Sequence, residues 1–341
     1  MKRVLIILAV LGVIAAGAVE WAIAAWNQPG PSNTNQSVVL IQPGSGVRAI
    51  SQQLENARLV KSALIFEFDL RLHKMADKLK AGEYAVPANA SMAAIADILA
   101  SGKSLQHKLT AAEGLTSNMI YKLVVADPVL VGEAGPEPAE GTLLPETYLF
   151  TRGTTRAELL QRMKKAQTGF LQAQWNSRAP ALPLATPEQA VVLASIVEKE
   201  TSLPEERRHI AAVFVNRLKT GMRLQSDPTI IYGITRGYPL GREIRASEIT
   251  AMTPYNTYAI DGLPSAPICN PGKDSLAAVL NPEQSDDLYF VATGQGGHAF
   301  AATIAEHNKN VVAYRVYLRL KERGEPVIAA PPKPPVRNRH S

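Results

Sequence analysis

The strongest constraint on this chain lies at its start. Lys2 and Arg3 precede an apolar run from Val4 to Trp26 that only Glu20 interrupts. As a helix, about 23 such residues reach roughly 34 Å, enough to cross a hydrocarbon core of about 30 Å. The basic pair before the run predicts a cytoplasmic N-terminus, with everything after the run on the outer side. Trp21 and Trp26 suit an interfacial aromatic belt at the outer end. A cleaved export signal is the alternative, because Ala22-Ile23-Ala24 has the small residues of a cleavage site. The length of the run favours a retained anchor over residues 1–26, and either case exports the remainder.

The chain beyond this run is long enough for two soluble units. Residues 27–37, rich in Asn, Gln, Pro, Gly and Ser, read as a flexible linker, and residues 326–341 as a disordered Pro-rich basic tail. The net charge of +6 and pI near 9.3 favour anionic surroundings. No basic patch interleaved with aromatics argues for nucleic acid. A single cysteine, Cys269, excludes an intramolecular disulfide. No His/Cys spacing suggests a metal site. Gly294-Gln295-Gly296-Gly297 lacks the Lys-Ser/Thr and the following helix of a phosphate loop and reads as a hairpin turn, so no cofactor is expected.

Residues 38–105 show a strand, a turn and a helix, twice over. Val38–Ile41 and Ala81–Val86 are the strand candidates, Ser91 caps the second helix and Gly102 ends it. This pattern resembles the LysM-like module that binds glycan in cell-wall proteins. Residues 106–325 form the larger unit, with a helical segment from Arg156 to Gln174 and a Pro-rich break over 179–183. Thr186-Pro187-Glu188-Gln189 is a helix start with a capping box. At about 100° per residue, Glu200 falls between Leu193 and Ile196 on the apolar stripe, and Glu198 falls on the far side with Ala194 and Ser195. A carboxyl on an apolar face is disfavoured as an anion, which raises its pKa toward the range a general acid needs. The alternative is a glutamate at a helix end paired with Arg207 or Arg208. Ser202 and Glu205 suggest a second capping box, opening a helix that stops at Gly221. Strands are expected over Leu224–Ile231 and Leu288–Phe300. The predicted fold class is α+β, a catalytic unit with a helical subdomain beside β structure.

The runs Ala194-Ser195-Ile196-Val197-Glu198-Lys199-Glu200-Thr201, Val215-Asn216-Arg217-Leu218, Met222-Arg223-Leu224-Gln225-Ser226-Asp227-Pro228-Thr229 and Thr253-Pro254-Tyr255-Asn256-Thr257-Tyr258 resemble the MltG (YceG-like) family of endolytic murein transglycosylases. Gly262-Leu263-Pro264, Asn270-Pro271-Gly272, Leu288-Tyr289-Phe290-Val291 and Gly297-His298-Ala299-Phe300 extend the resemblance toward the C-terminus. It implies cleavage of the bond between N-acetylmuramic acid and N-acetylglucosamine within glycan strands, leaving a 1,6-anhydro end. It makes the second glutamate of Glu-Lys-Glu, Glu200, catalytic, the residue that helical geometry selects independently. It further implies glycan contacts from Gln225, Asp227, Tyr255, Asn256 and Tyr258, and a place for His298 at the same cleft. The expected surroundings are the inner membrane, crossed once, with peptidoglycan strands as substrate and cell-wall synthases or division proteins as candidate partners. Two other functions compete: a silent glycan-binding scaffold, and a two-carboxylate glycosidase using Asp227.

Overall fold

The computed structural model describes residues 2–31 and 35–324 and falls into two compact units. The predicted tail lies outside the described residues, as do positions 32–34 of the predicted linker. The first unit comprises the described residues among 1–109, 127–132 and 148–156; the other described residues form the second.

The first unit begins with α1 (Lys2–Asn27), an apolar helix long enough to cross a membrane. Then come β1 (Ser37–Ile41), α2 (Val47–Asn56), α3 (Ala63–Leu72), β2 (Gly82–Val86), α4 (Met92–Ser101) and β3 (His107–Thr110). β1 and β2 pair antiparallel, with Val39 opposite Tyr84 and Ile41 opposite Gly82. Their inward residues Val39, Ile41, Tyr84 and Val86 meet Ile50, Leu54, Phe66, Leu70, Ile95 and Leu99 in one buried cluster. Each such side chain contributes on the order of 1.5–3 kcal/mol by leaving water. Ser91 caps α4 by accepting from Ala94 N–H (3.2 Å), and Gly102 ends it in the left-handed region (φ 70°). Both strands and both of the expected helices are present; α3 is an additional element that the sequence pattern did not reveal.

Two details of this unit depart from expectation. Trp26 does not stand in an aromatic belt. It is buried in the unit's core, stacked on His73 (4.7 Å) and near Phe66 (6.2 Å). The segment after it is tied down, because Gly30 N–H donates to Asn89 O (3.2 Å) and any side chain at Gly30 would collide with Ala90 O.

The second unit contains α5 (Ser117–Ala126), α6 (Arg156–Asn176), α7 (Pro187–Glu200), α8 (Pro204–Lys219), α9 (Asp227–Thr235), α10 (Ala246–Ile249), α11 (Lys273–Leu280), a hairpin of β5 (Tyr289–Ala292) and β6 (His298–Ala301), and α12 (Ile304–Glu322). The remaining strand, β4 (Thr147–Phe150), pairs with β3. The class is α+β. α7 is its centre: Ala190 through Val197 are all buried, packed against α8 and α11 through Leu193, Ile196, Phe214, Leu276 and Val279. A helix buried on every side has no single apolar stripe, so the expected stripe understates its enclosure. The hairpin over 289–301 follows the prediction, with Phe290 edge-on to Phe214 (5.7 Å). The strand expected over Leu224–Ile231 is wrong. Asp227–Thr235 is helix α9, because Pro228 falls in its first turn, where a fixed φ and missing N–H cost nothing.

Candidate functional site

α7 is held at its start by Thr186, whose hydroxyl accepts from Gln189 N–H (3.4 Å), while Gln189 Oε1 accepts from Ala185 N–H (2.7 Å). The box is reciprocal but reaches one residue further back than a standard one. At the far end the chain turns extended at Thr201 (φ −143°, ψ 140°), and α8 starts at Pro204 with Leu203 as its N-cap. The expected Ser202/Glu205 box is absent. Thr201 Oγ1 instead accepts from Leu203 N–H (3.0 Å), and Glu206 replaces Glu205 as the working acid of the first turn.

Glu200, the last residue of α7, carries the site. Neither arginine named as its structural partner takes it. Arg207 lies among Glu113 (3.5 Å), Asp274 (3.2 Å) and Glu198 (3.8 Å), and Arg208 donates to Asn281 O (2.9 Å). Glu198 faces away, as the helical angle requires, and accepts from Gly272 N–H (2.9 Å). The Glu200 carboxyl accepts from the Ser226 hydroxyl at 2.5 Å. Loss of hydration, helped by the nearby Asp227 carboxylate, outweighs the groups that favour the anion and brings its pKa from 4.5 up to about 7. The Ser226 hydrogen bond, His298 and Arg217 pull the other way. The result is an acid close to half-protonated at neutral pH, where proton donation and acceptance are both accessible.

Ser226 is itself buried and held in place. Its N–H donates to Thr257 Oγ1 (2.9 Å), and Gln225 N–H donates to Thr257 O (3.1 Å). Thr229 Oγ1 donates to Ser226 O (2.6 Å). The same hydroxyl lies 2.9 Å from Thr257 Oγ1. Ser226 occupies the N-cap position of α9, yet its hydroxyl caps nothing and is directed at Glu200 instead. Gln225, just before it, adopts a left-handed φ of 50°, a costly conformation for a residue with a side chain. Its own side chain is exposed.

Arg217 reaches the site from α8. Its Nε–H donates to Leu288 O (2.7 Å) and its Nη1–H to Leu224 O (2.5 Å), linking the start of the hairpin to the segment that leads into Ser226. Burial lowers its pKa, and the Glu200 carboxylate raises it. Tyr258 donates its hydroxyl to Asp227 Oδ1 (2.7 Å), and burial together with that carboxylate pushes the phenol pKa up. His298 arrives from β6, its Nδ1 2.7 Å from Glu206 Oε2 and its N–H donating to Glu206 Oε1 (2.7 Å). A carboxylate bound at both points fixes which way the imidazole faces.

Of the residues expected at the site, Asp227, Tyr258 and His298 therefore gather with Glu200. Asn256 is nearby in sequence but engaged elsewhere. Its Nδ2 donates to Glu248 O, Ile249 O and Ala251 O (3.1, 3.0 and 2.7 Å) and its Oδ1 accepts from Tyr258 N–H (3.0 Å). It is a buried clamp for the loop that carries Tyr258. Tyr255 packs edge-on against Tyr232 (4.9 Å), with Arg236 over its ring at 5.3 Å. Ser226 and Arg217 are the two members that sequence reasoning passed over; both stood inside quoted motifs, without a local signal for their direction. His307 of α12 stacks on Tyr289 (5.2 Å). Cys269 is buried against Ser195 O, and burial pushes its thiol pKa up. Among the described residues no group of three His, Cys, Asp or Glu side chains could hold a metal ion.

The sequence model of the YceG-like family matches residues 39–313. The chain is 30 % identical over 300 residues to an endolytic murein transglycosylase of Bacillus subtilis, covering 79 % of this chain and 82 % of that protein. It is also 30 % identical to the endolytic murein transglycosylase of Streptococcus pneumoniae, spanning 84 % of this chain and 60 % of that longer protein. A crystal structure of a YceG-like protein from Listeria monocytogenes superposes with a TM-score of 0.52 at 30 % identity, over 81 % of this chain and 99 % of that one. Matched over most of its length, this chain belongs to the YceG-like family.

Proposed function

We infer that the protein is an endolytic murein transglycosylase in which Glu200 moves one proton out and back. The observation that carries this reading is the half-buried Glu200 carboxyl, bonded to Ser226, close to Asp227 and with its pKa pushed up to about 7. Relatives bearing that activity in their names support the substrate class. Protonated Glu200 donates to the oxygen joining N-acetylmuramic acid to N-acetylglucosamine, and that bond breaks. The resulting carboxylate removes the proton from the muramoyl 6-hydroxyl, whose oxygen bonds to the anomeric carbon. A 1,6-anhydro end forms, Glu200 is again protonated, and no water is consumed. Ser226 holds the carboxyl in place for both transfers. Asp227, kept oriented by Tyr258, supplies negative charge opposite the oxocarbenium-like transition state. Tyr258 and the exposed Gln225 contact the sugar, His298 lines the same side, and Tyr255 adds an aromatic face. Asn256 keeps its loop in shape and makes no sugar contact.

α1 anchors the chain in the inner membrane with the two units on the outer side, and its length and apolar composition support this. The first unit, with its two antiparallel strands and short helices, acts as a LysM-like glycan-binding module. Mass spectrometry of fragments released from purified glycan strands tests the chemistry. Anhydromuramoyl ends are expected; reducing muramic acid ends would instead make Asp227 the second carboxylate of a hydrolase.

A further inference from the structure

Helix α3 is apolar on its outer side as well as its inner one. Ala63, Phe66 and Leu70 enter the core, whereas Leu64, Phe68 and Leu72 are 75 %, 52 % and 43 % exposed. Their spacing of four stacks them in one line along the helix. A surface helix of a water-soluble unit carries polar residues there. Three large apolar side chains in a row mark a surface that something other than water covers.

The position of α1 says what that is. A span starting near Val4 leaves a hydrocarbon core of about 30 Å after roughly 20 residues, close to Ile23. Trp26, one turn further, is stacked against His73 and lies beside Phe66 of α3. Trp21 and Ala25 of α1 line the same cavity as Ile65 of α3 and Met92 of α4. α3 therefore sits at the level where the span ends. Ile65 continues the Leu64–Phe68–Leu72 line round toward α1. The line is bordered by exposed basic residues, Lys61 before the helix, Arg71 within it and Lys74 just after. Arg71 is shared with Glu67 at 2.7 Å.

We propose that α3 lies along the outer surface of the membrane crossed by α1, with Leu64, Phe68 and Leu72 among the acyl chains and Lys61, Arg71 and Lys74 against anionic headgroups. This rests on the reading of α1 as a retained anchor. The first unit then has a fixed face toward the bilayer and is not free to turn on a tether. An apolar face with a basic border is the composition that holds a helix in the interface.

The test uses the full chain in vesicles of phosphatidylethanolamine and phosphatidylglycerol. The buried Cys269 is replaced by Ser, and an environment-sensitive fluorophore is placed at Phe68→Cys, at Leu64→Cys as a second position, and at Val13→Cys within the span. Lipids spin-labelled near the headgroup should quench the probes at 68 and 64 several-fold, and lipids labelled deep in the chain should quench the probe at 13. If only position 13 is quenched and positions 64 and 68 remain open to aqueous iodide, the anchor stands and the proposal fails. If none of the three is quenched, the anchor reading fails and takes the proposal with it. If 64 and 68 are shielded from iodide yet unquenched by lipid, a second copy or another protein covers the stripe, which also overturns it.

Discussion

Glu200 and Ser226 make opposite demands on one proton, and their separation can be tested by titration. Burial holds the Glu200 pKa near 7, while the Ser226 hydroxyl stabilises the anion and draws it down. Catalysis starts from the protonated form, so the rate should fall as pH rises through about 7. Ser226→Ala should move that limb to higher pH and lower kcat about tenfold or more, since a hydrogen bond to a charged group is worth roughly 1.5–3 kcal/mol. Glu200→Gln should keep the shape and lower kcat by about 100-fold or more, with strand binding retained. Unchanged digestion by this variant would remove Glu200 from the mechanism. The same raised pKa also bears on folding. The protonated, buried form is compatible with the fold below pH 4.5, and this contribution is lost as pH rises through about 7. Asp69 offers a cleaner case in the first unit. It is fully buried, neither carboxylate oxygen has a hydrogen-bond partner, and burial raises its pKa. Asp69→Asn should raise the thermal midpoint of the first unit at pH 8, with the gain shrinking as pH falls and the wild-type carboxyl protonates. The place of Glu200 at the end of an apolar helix was legible from the Thr186-Pro187 start and the apolar residues that follow, although the helix is enclosed on every side and not along one stripe. Ser226 was not, because a hydroxyl at a helix start ordinarily caps the helix, and only the tertiary fold shows it spent on a carboxyl 26 residues away in sequence.

At the scale of elements, local rules were reliable where one signal acted and failed where two competed. Ser91 and Gly102 bound α4, and Thr186-Pro187 opens α7, because capping and proline chemistry act there without opposition. In Asp227–Thr235 the β-favouring Thr-Ile-Ile-Tyr opposed Pro228 at the helix start. The helix prevailed, and Thr229 and Tyr232, one turn apart along it, are both buried. α3 escaped notice because Phe66-Glu67-Phe68-Asp69-Leu70-Arg71-Leu72 alternates apolar and charged residues, which is the period of a strand and not of a helix. The loop carrying Tyr258 depends on Asn256, whose amide satisfies three backbone carbonyls. Asn256→Ala should strand those carbonyls and destabilise the second unit by about 2–3 kcal/mol, given ~1–3 kcal/mol for each buried group left unsatisfied and partial relaxation. Chemical denaturation would show this as a lowered midpoint. A direct sugar contact would instead raise KM at unchanged stability.

For the molecule as a whole, a long apolar first helix and a small unit ahead of a larger one could be read from the order of segments: an apolar run, a strand-and-helix repeat, then a longer body. The internal boundaries could not, since residues 127–132 and 148–156 return to the first unit after the chain has entered the second. Such a return is set by tertiary packing and leaves no compositional step. The point where α1 meets the first unit was equally hidden. Trp26 looks like the last aromatic of a membrane segment and is in fact part of a core, stacked on His73. Trp26→Ala should therefore cost the first unit about 3–5 kcal/mol, the usual penalty for emptying a large aromatic site, measurable by thermal unfolding of the detergent-solubilised chain. A shortened protein begun at residue 27, the natural place to cut if the apolar run were only a leash, would lack a wall of its own first unit. Handling this enzyme without lipid calls for keeping that one indole, even when everything before it is removed.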